Sequence, residues 1–151
     1  MPTISEYKCN KCSFTLPKGW GGYLYVIDDK GNRIVCIHPS ERTIIQKVLG
    51  KEASEAIIRE RTGYNSDCVC LDCLRQFELD IGDAEGKGDR GTYSWRYYYY
   101  EYRSYGTMTR RDKRICPKCS SSNVKTVPEI VGEICPKCKD GVIEETMIGM
   151  A

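Results

Sequence analysis

Eight of the ten cysteines in this 151-residue chain fall into four Cys-x-x-Cys pairs, Cys9/Cys12, Cys70/Cys73, Cys116/Cys119 and Cys135/Cys138. A two-residue spacing lets one tight turn aim two sulfurs at the same ion, and a tetrahedral structural site takes four thiolates. Two pairs make one site, so four pairs predict two, with zinc as the expected ion. Such a site has no open position for water, and the metal is expected to fold the chain rather than to react.

Composition explains why metal would be needed. Leu, Ile, Val and Phe together make 30 residues, about a fifth of the chain, close to the limit at which burial stops offsetting chain entropy. A large oily core is excluded, and two metal centres are the natural substitute. No apolar run approaches the ~18 residues of a membrane span, and Met1 to Lys8 has neither the basic nor the apolar region of a leader. The expectation is a soluble, cytoplasmic chain without membrane contact, in a reducing compartment that favours metal over disulfides. Bound thiols are thiolates, so the formal charge of +2 becomes −2 with eight of them and two divalent ions. Any attraction for an anionic partner must then be local.

The text around the pairs carries a resemblance. Tyr7 to Leu16, Cys70 to Leu79, Cys116 to Val124 and Cys135 to Glu144 are each similar to a zinc-ribbon knuckle running into a short strand. Ser13, Leu74, Ser120 and Lys139 stand where such knuckles usually place glycine, which disfavours a rubredoxin-like iron site. Spacing does not decide which pair joins which. In a sequential arrangement Cys9/Cys12 closes with Cys70/Cys73, and Cys116/Cys119 with Cys135/Cys138. In the nested one, preferred here, the inner pairs form one ribbon and the first and last pairs clasp the chain ends. The inner text resembles the small ribbons of metal-delivery accessory proteins and of translation-associated factors, families too diverse to fix an activity.

Between the knuckles, residues 23–27 and 33–37 flank Asp28-Asp29-Lys30-Gly31-Asn32 as a β-hairpin. Trp20, among glycines, reads as a plug over a thin core, with the glycines letting backbone pass its ring. Ser40 is placed to cap a helix over 41–49 ended by Gly50, and a second helix is expected over 51–62 with Gly63 as its stop. The second helix lacks the basic face of a groove reader, so both helices are expected to bury their apolar stripes on the hairpin.

Residues 80–91 read as a polar, glycine-rich loop. It feeds a segment holding Tyr93, Trp95, Arg96, Tyr97, Tyr98, Tyr99, Tyr100, Tyr102, Arg103 and Tyr105, followed by Arg110, Arg111, Lys113 and Arg114. Aromatics for base stacking beside guanidinium groups for phosphate suit single-stranded or irregular RNA, with stacking worth roughly 1–3 kcal/mol per base. Tyrosine also dominates protein interfaces, so docking on a larger assembly is the alternative.

Cys36 and Cys68 lie outside the pairs. On a strand Cys36 and the only histidine, His38, project to one side, which makes them the one candidate reactive pair, and Cys68 reads as a packed thiol or a substitute ligand. No phosphate-cradling loop, His-Glu-x-x-His or serine elbow is present, so no catalytic residue and no small-molecule substrate is predicted.

The sequence therefore predicts a small, metal-stapled α+β protein in three segments. Residues 1–73 hold the first knuckles, the hairpin and the helical pair; 74–115 a glycine-rich loop and a projecting Tyr/Arg-rich hairpin; 116–151 a C-terminal ribbon. The expected function is non-catalytic binding of RNA or a ribonucleoprotein, the ribosome included. An accessory subunit docking through the tyrosines, a rubredoxin-like electron carrier and a metal-delivery factor are the alternatives.

Overall fold

The computed structural model describes residues 3–81 and 111–150. Among these residues it is a small α+β structure with two sheets, three short helices and two four-cysteine clusters. The first sheet has the order β2-β1-β8, where β1 is Thr3–Cys9, β2 Thr15–Gly19 and β8 Ile143–Met150. The second runs β4-β3-β5-β6, with β3 Gly22–Ile27, β4 Arg33–Cys36, β5 Thr62–Cys70 and β6 Gln76–Leu79, and β7 Val124–Thr126 also pairs with β5. All of these pairings are antiparallel.

The hairpin forms as the sequence predicts, with Leu24 opposite Cys36 and Ile27 opposite Arg33. Asp28 organises its loop: Oδ1 accepts from the Lys30 and Asn32 amides at 2.9 and 2.8 Å, and Gly31 takes the left-handed φ of 84° that an L side chain resists. Helix α1, Glu41–Leu49, ends at Gly50 as expected, but Ser40 makes no side-chain cap bond. Its first turn is held instead by Glu41, whose carboxylate meets His38 Nδ1 at 2.9 Å. Ile45 is buried, and Ile44, Val48 and Leu49 partly so, against Leu24, Val26 and Cys36 of the hairpin, so the stripe faces the hairpin as expected. Full burial of such a side chain contributes about 1.5–3 kcal/mol, so Ile45 carries the largest share.

The second helix is shorter than expected. Helix α2 spans Glu55–Arg61 because Ser54, not a residue near 51, caps it by accepting the Ile57 amide at 3.2 Å. Gly63 is not its stop: the chain passes straight into β5, where Gly63 pairs with Tyr25. A Cβ at Gly63 would collide with the Tyr25 hydroxyl and the Asp80 carboxylate, so glycine is there for close approach, not for a helix end. Gly22 answers to the same need, lying against the Asn65 carbonyl, and Trp20 packs edge-on to Tyr23 and His38 rather than beneath passing backbone.

The strands around the two cysteine clusters repeat one plan. In β1–β2 the residues one and two before the knuckle, Lys8 and Tyr7, pair with Thr15 and Leu16, three and four after it. In β5–β6 the corresponding Val69 and Cys68 pair with Gln76 and Phe77. The third strand repeats as well. Cys9, Lys8 and Tyr7 lie opposite Ile143, Glu144 and Glu145, which stand five to seven residues beyond Cys138. Cys70, Val69 and Cys68 lie opposite Val124, Lys125 and Thr126, at the same spacing beyond Cys119. Two ribbons with identical register are thus present, the inner one carried within the chain of the outer. The pairings of β1 with β8 and of β5 with β7 cross the three sequence segments proposed above.

A shared core joins the ribbons: Tyr7, Phe14, Leu16 and Ile143 of the outer one pack with Val69 of β5 and with Val127 and Ile130 of the third helix, α3 (Val127–Ile130). Among the described residues no helix is long and apolar enough to cross a membrane.

Candidate metal centres

Each knuckle is closed by the same backbone bond. The amide of its first cysteine donates to a carbonyl five residues on, Cys9 to Phe14, Cys70 to Arg75 and Cys116 to Ser121, at 2.9, 2.9 and 2.8 Å. The fourth wraps one residue further, Cys135 to Gly141 at 2.8 Å. Leu74, Ser120 and Lys139 adopt φ of 65°, 62° and 61°, so three of the four turns take the left-handed conformation without glycine. That costs roughly 1–2 kcal/mol each, and closure of the metal site must hold it.

The nested pairing is the one observed. Cys9, Cys12, Cys135 and Cys138 gather in an outer cluster and Cys70, Cys73, Cys116 and Cys119 in an inner one, with the four sulfurs of each within 4.8 Å of one another. Sγ–Sγ distances are 3.7 Å for Cys9–Cys138 and Cys12–Cys135, 3.5 Å for Cys70–Cys119 and 3.6 Å for Cys73–Cys116. A tetrahedral ion with metal–sulfur bonds of about 2.3 Å sets its sulfurs about 3.8 Å apart. Both donor sets therefore fit a four-coordinate divalent ion, and each group can hold one.

Backbone amides supply the supporting charge. In the outer cluster Lys11, Phe14, Lys137 and Gly141 donate to Cys9, Cys12, Cys135 and Cys138 at 3.3, 3.4, 3.4 and 3.2 Å. In the inner one Cys73 and Lys118 donate to Cys70 and Cys116 at 3.5 and 3.4 Å. The crowded sulfurs compete for charge. The Gly141 and Asp140 amides hold the Cys138 thiol down at about 6, while Cys12, against the pull of the Phe14 amide, is pushed up to about 11 by burial and its neighbouring sulfurs. Cys116 is opposed by burial yet held at about 6 by the Cys119 and Lys118 amides, and Cys119, against the Ser121 amide, is pushed up to about 12 by burial and the other sulfurs. A set like this becomes four thiolates only around a cation.

The remaining cysteines are not ligands. Cys36 is buried and its Sγ faces the Ile34 carbonyl at 3.7 Å; burial, then the charge of Glu41, pushes its thiol up to about 12. His38 is turned to Glu41 and Trp20. Cys68 is no substitute ligand: it donates to the Ser66 carbonyl at 3.3 Å, and burial raises it too to about 12.

Of the proposed contact residues, Tyr93, Trp95, Arg96, Tyr97, Tyr98, Tyr99, Tyr100, Tyr102, Arg103 and Arg110 lie outside the described residues. Lys113 is exposed. Arg111 and Arg114 are turned inward. Arg111 Nη1 donates to the Tyr25 hydroxyl and the Thr62 carbonyl, both at 2.9 Å, and lies 3.3 Å from the Asp80 carboxylate, while Nη2 meets the Glu60 carbonyl. Arg114 Nη1 donates to Glu129 at 2.7 Å and to the Val124 carbonyl at 3.1 Å, tying the inner knuckle to α3.

Arg111 belongs to a polar clasp that the sequence did not disclose. Asp80 is fully buried and bonded to the Tyr25 hydroxyl, its carbonyl accepts from the Arg111 and Asp112 amides at 3.2 and 2.9 Å, and its amide donates to Asp112 Oδ2 at 2.7 Å. Asp112 is held in turn by both Arg33 guanidinium nitrogens at 2.8 and 2.9 Å. Burial and then Asp80 raise the Tyr25 phenol above its ordinary value. The clasp brings residues 80 and 112, the two flanks of the Tyr/Arg-rich segment, to one point of the second sheet. Comparison with family models, with curated proteins and with solved structures returns no match to this chain.

Proposed function

We propose that this chain is a non-catalytic zinc-stapled binding module whose contact element is the Tyr/Arg-rich segment and whose partner is RNA or a ribonucleoprotein. The observation that carries the zinc half is the closed donor set: four sulfurs at tetrahedral spacing in each cluster, amide-supported, with no fifth side chain of the described residues among them. Cys9, Cys12, Cys135 and Cys138 would hold one ion, and Cys70, Cys73, Cys116 and Cys119 the other. What the ion supplies is folding free energy, of order 10–16 kcal/mol for a structural site, comparable with the whole stability of an ordinary domain at about 5–15 kcal/mol.

The binding half rests on composition and on the clasp. Stacking side chains and cations stand together over residues 93–110, and the fold gathers both flanks of that stretch onto a buried, hydrogen-bonded base. With Arg111 and Arg114 committed internally, the cations left for phosphate are Arg96, Arg103, Arg110 and Lys113. The test is capture from native lysate by wild type and by a chain whose residues 93–105 are a Gly/Ser loop. Salt-labile RNA held by wild type and lost by the loop variant is the expected result. A single protein partner lost instead, at any ionic strength, replaces this reading with that of an assembly subunit.

A further inference from the structure

The two ribbons share one register, so each position of the inner centre has a counterpart in the outer, and the differences between counterparts can be read as differences in reactivity. Two of them concern the last cysteine of each site. Cys119 is exposed, whereas its counterpart Cys138 is only partly so. The knuckles differ there: the fourth turn wraps one residue further, to Gly141, whose amide meets Cys138 at 3.2 Å, while the third closes at Ser121. The second difference is the strap across each site. In the outer ribbon Lys11 reaches Asp140 at 3.2 Å. At the same position of the inner ribbon an anion, Asp72, accepts from Ser121 Oγ and, at 3.2 Å, from Asn123 Nδ2.

A four-thiolate zinc carries two excess negative charges. Its sulfurs stay nucleophilic, and the one that solvent reaches is the first an oxidant meets. Exposure therefore singles out Cys119. We infer that Cys119 is a peroxide-modification site and that the inner centre releases its metal on oxidation while the outer one keeps its own. The inference rests on the two-zinc reading above. Its chemistry is a two-electron oxidation. The Cys119 thiolate attacks one oxygen of hydrogen peroxide, the O–O bond breaks, and the departing oxygen leaves as water after protonation. The Cys70 thiolate, 3.5 Å away, then attacks the Cys119 sulfenic sulfur and expels a second water. Two thiolates, one peroxide and two protons give one disulfide and two waters, and a site reduced to two thiolates lets its ion go.

The experiment uses the wild-type chain loaded with zinc and a limiting supply of hydrogen peroxide. Freed zinc is followed with a chromogenic chelator, and the disulfides are mapped by mass spectrometry at half release. The expected result is one equivalent freed at least tenfold faster than the second, with the Cys70–Cys119 bond as the first to form. Two equivalents leaving at one rate, or a first bond among Cys9, Cys12, Cys135 and Cys138, overturns the inference. The metal content of the untreated protein reports on the parent reading separately: a chain that holds no metal overturns both, whereas two ions lost together overturn this one alone.

Discussion

Replacing Arg111 by Met separates the two roles this residue has been given. In the clasp its guanidinium donates to the Tyr25 hydroxyl and to the Thr62 and Glu60 carbonyls, and faces a carboxylate, Asp80, with no exposure at all. Methionine keeps most of the stem and deletes those donors. Removing one partner of a buried pair costs about 3–5 kcal/mol, because the other charge is left in low dielectric. Two features place this case at the lower end. The Arg111 side chain is 22% exposed, and the Tyr25 hydroxyl still donates to Asp80. The loss should be about 3 kcal/mol, read as a lower urea midpoint with unchanged slope in the metal-loaded protein. Asp80→Leu combined with Arg111→Met should recover part of it, since no charge is then stranded. An Arg111→Met chain within about 0.5 kcal/mol of wild type would refute the reasoning and return Arg111 to the surface. In that case the salt slope of RNA binding should fall by about one, as for any phosphate contact.

Other consequences follow from single positions. A Cβ at Gly141 would press on Cys9 Sγ, so Gly141→Ala should weaken the outer site selectively, seen as an earlier first step when zinc is titrated out with chelator. Lys139→Gly relieves a left-handed φ of 61° and should raise stability by about 0.5–1 kcal/mol in thermal unfolding. Asp67, buried and opposite Glu78, is pushed up to about 7 by burial and then by that charge. Its folded value exceeds the unfolded one of 3.8, so its contribution is greatest in acid and is lost as pH rises through about 7. Wild type minus Asp67→Asn should therefore fall by about 1.4 kcal/mol between pH 6 and 8, and a flat difference in denaturant titrations would contradict it. Cys36 and Cys68 should resist alkylation until the chain unfolds, because burial holds both thiols near 12.

Much of the scaffold was legible because it is written in local chemistry. Cys-x-x-Cys spacing located the eight sulfurs, Asp28 to Asn32 located the hairpin loop, and the Ile44, Ile45, Val48 stripe located α1. What escaped is set by partners distant in sequence. Gly63 looks like a helix stop until Tyr25 and Asp80 are seen pressed against it. Arg111 and Arg114 look like a basic surface until their acceptors on β5, just beyond β6 and on α3 are in place. The repeated register is invisible in the text because equivalent positions carry unlike residues, Tyr7 against Cys68 and Lys8 against Val69. The backbone ladder is conserved between the ribbons while the side chains answer to different surroundings.

The central claim is that two four-thiolate metal centres, nested one within the other, hold together a fold whose hydrophobic core is small. It is tested most directly by metal analysis of the purified chain together with metal-edge X-ray absorption. The account predicts two zinc ions per chain, each with four sulfur neighbours at about 2.3 Å, and loss of the fold on chelation. One ion per chain, a nitrogen or oxygen neighbour in either shell, or a fold that survives removal of both metals would contradict it.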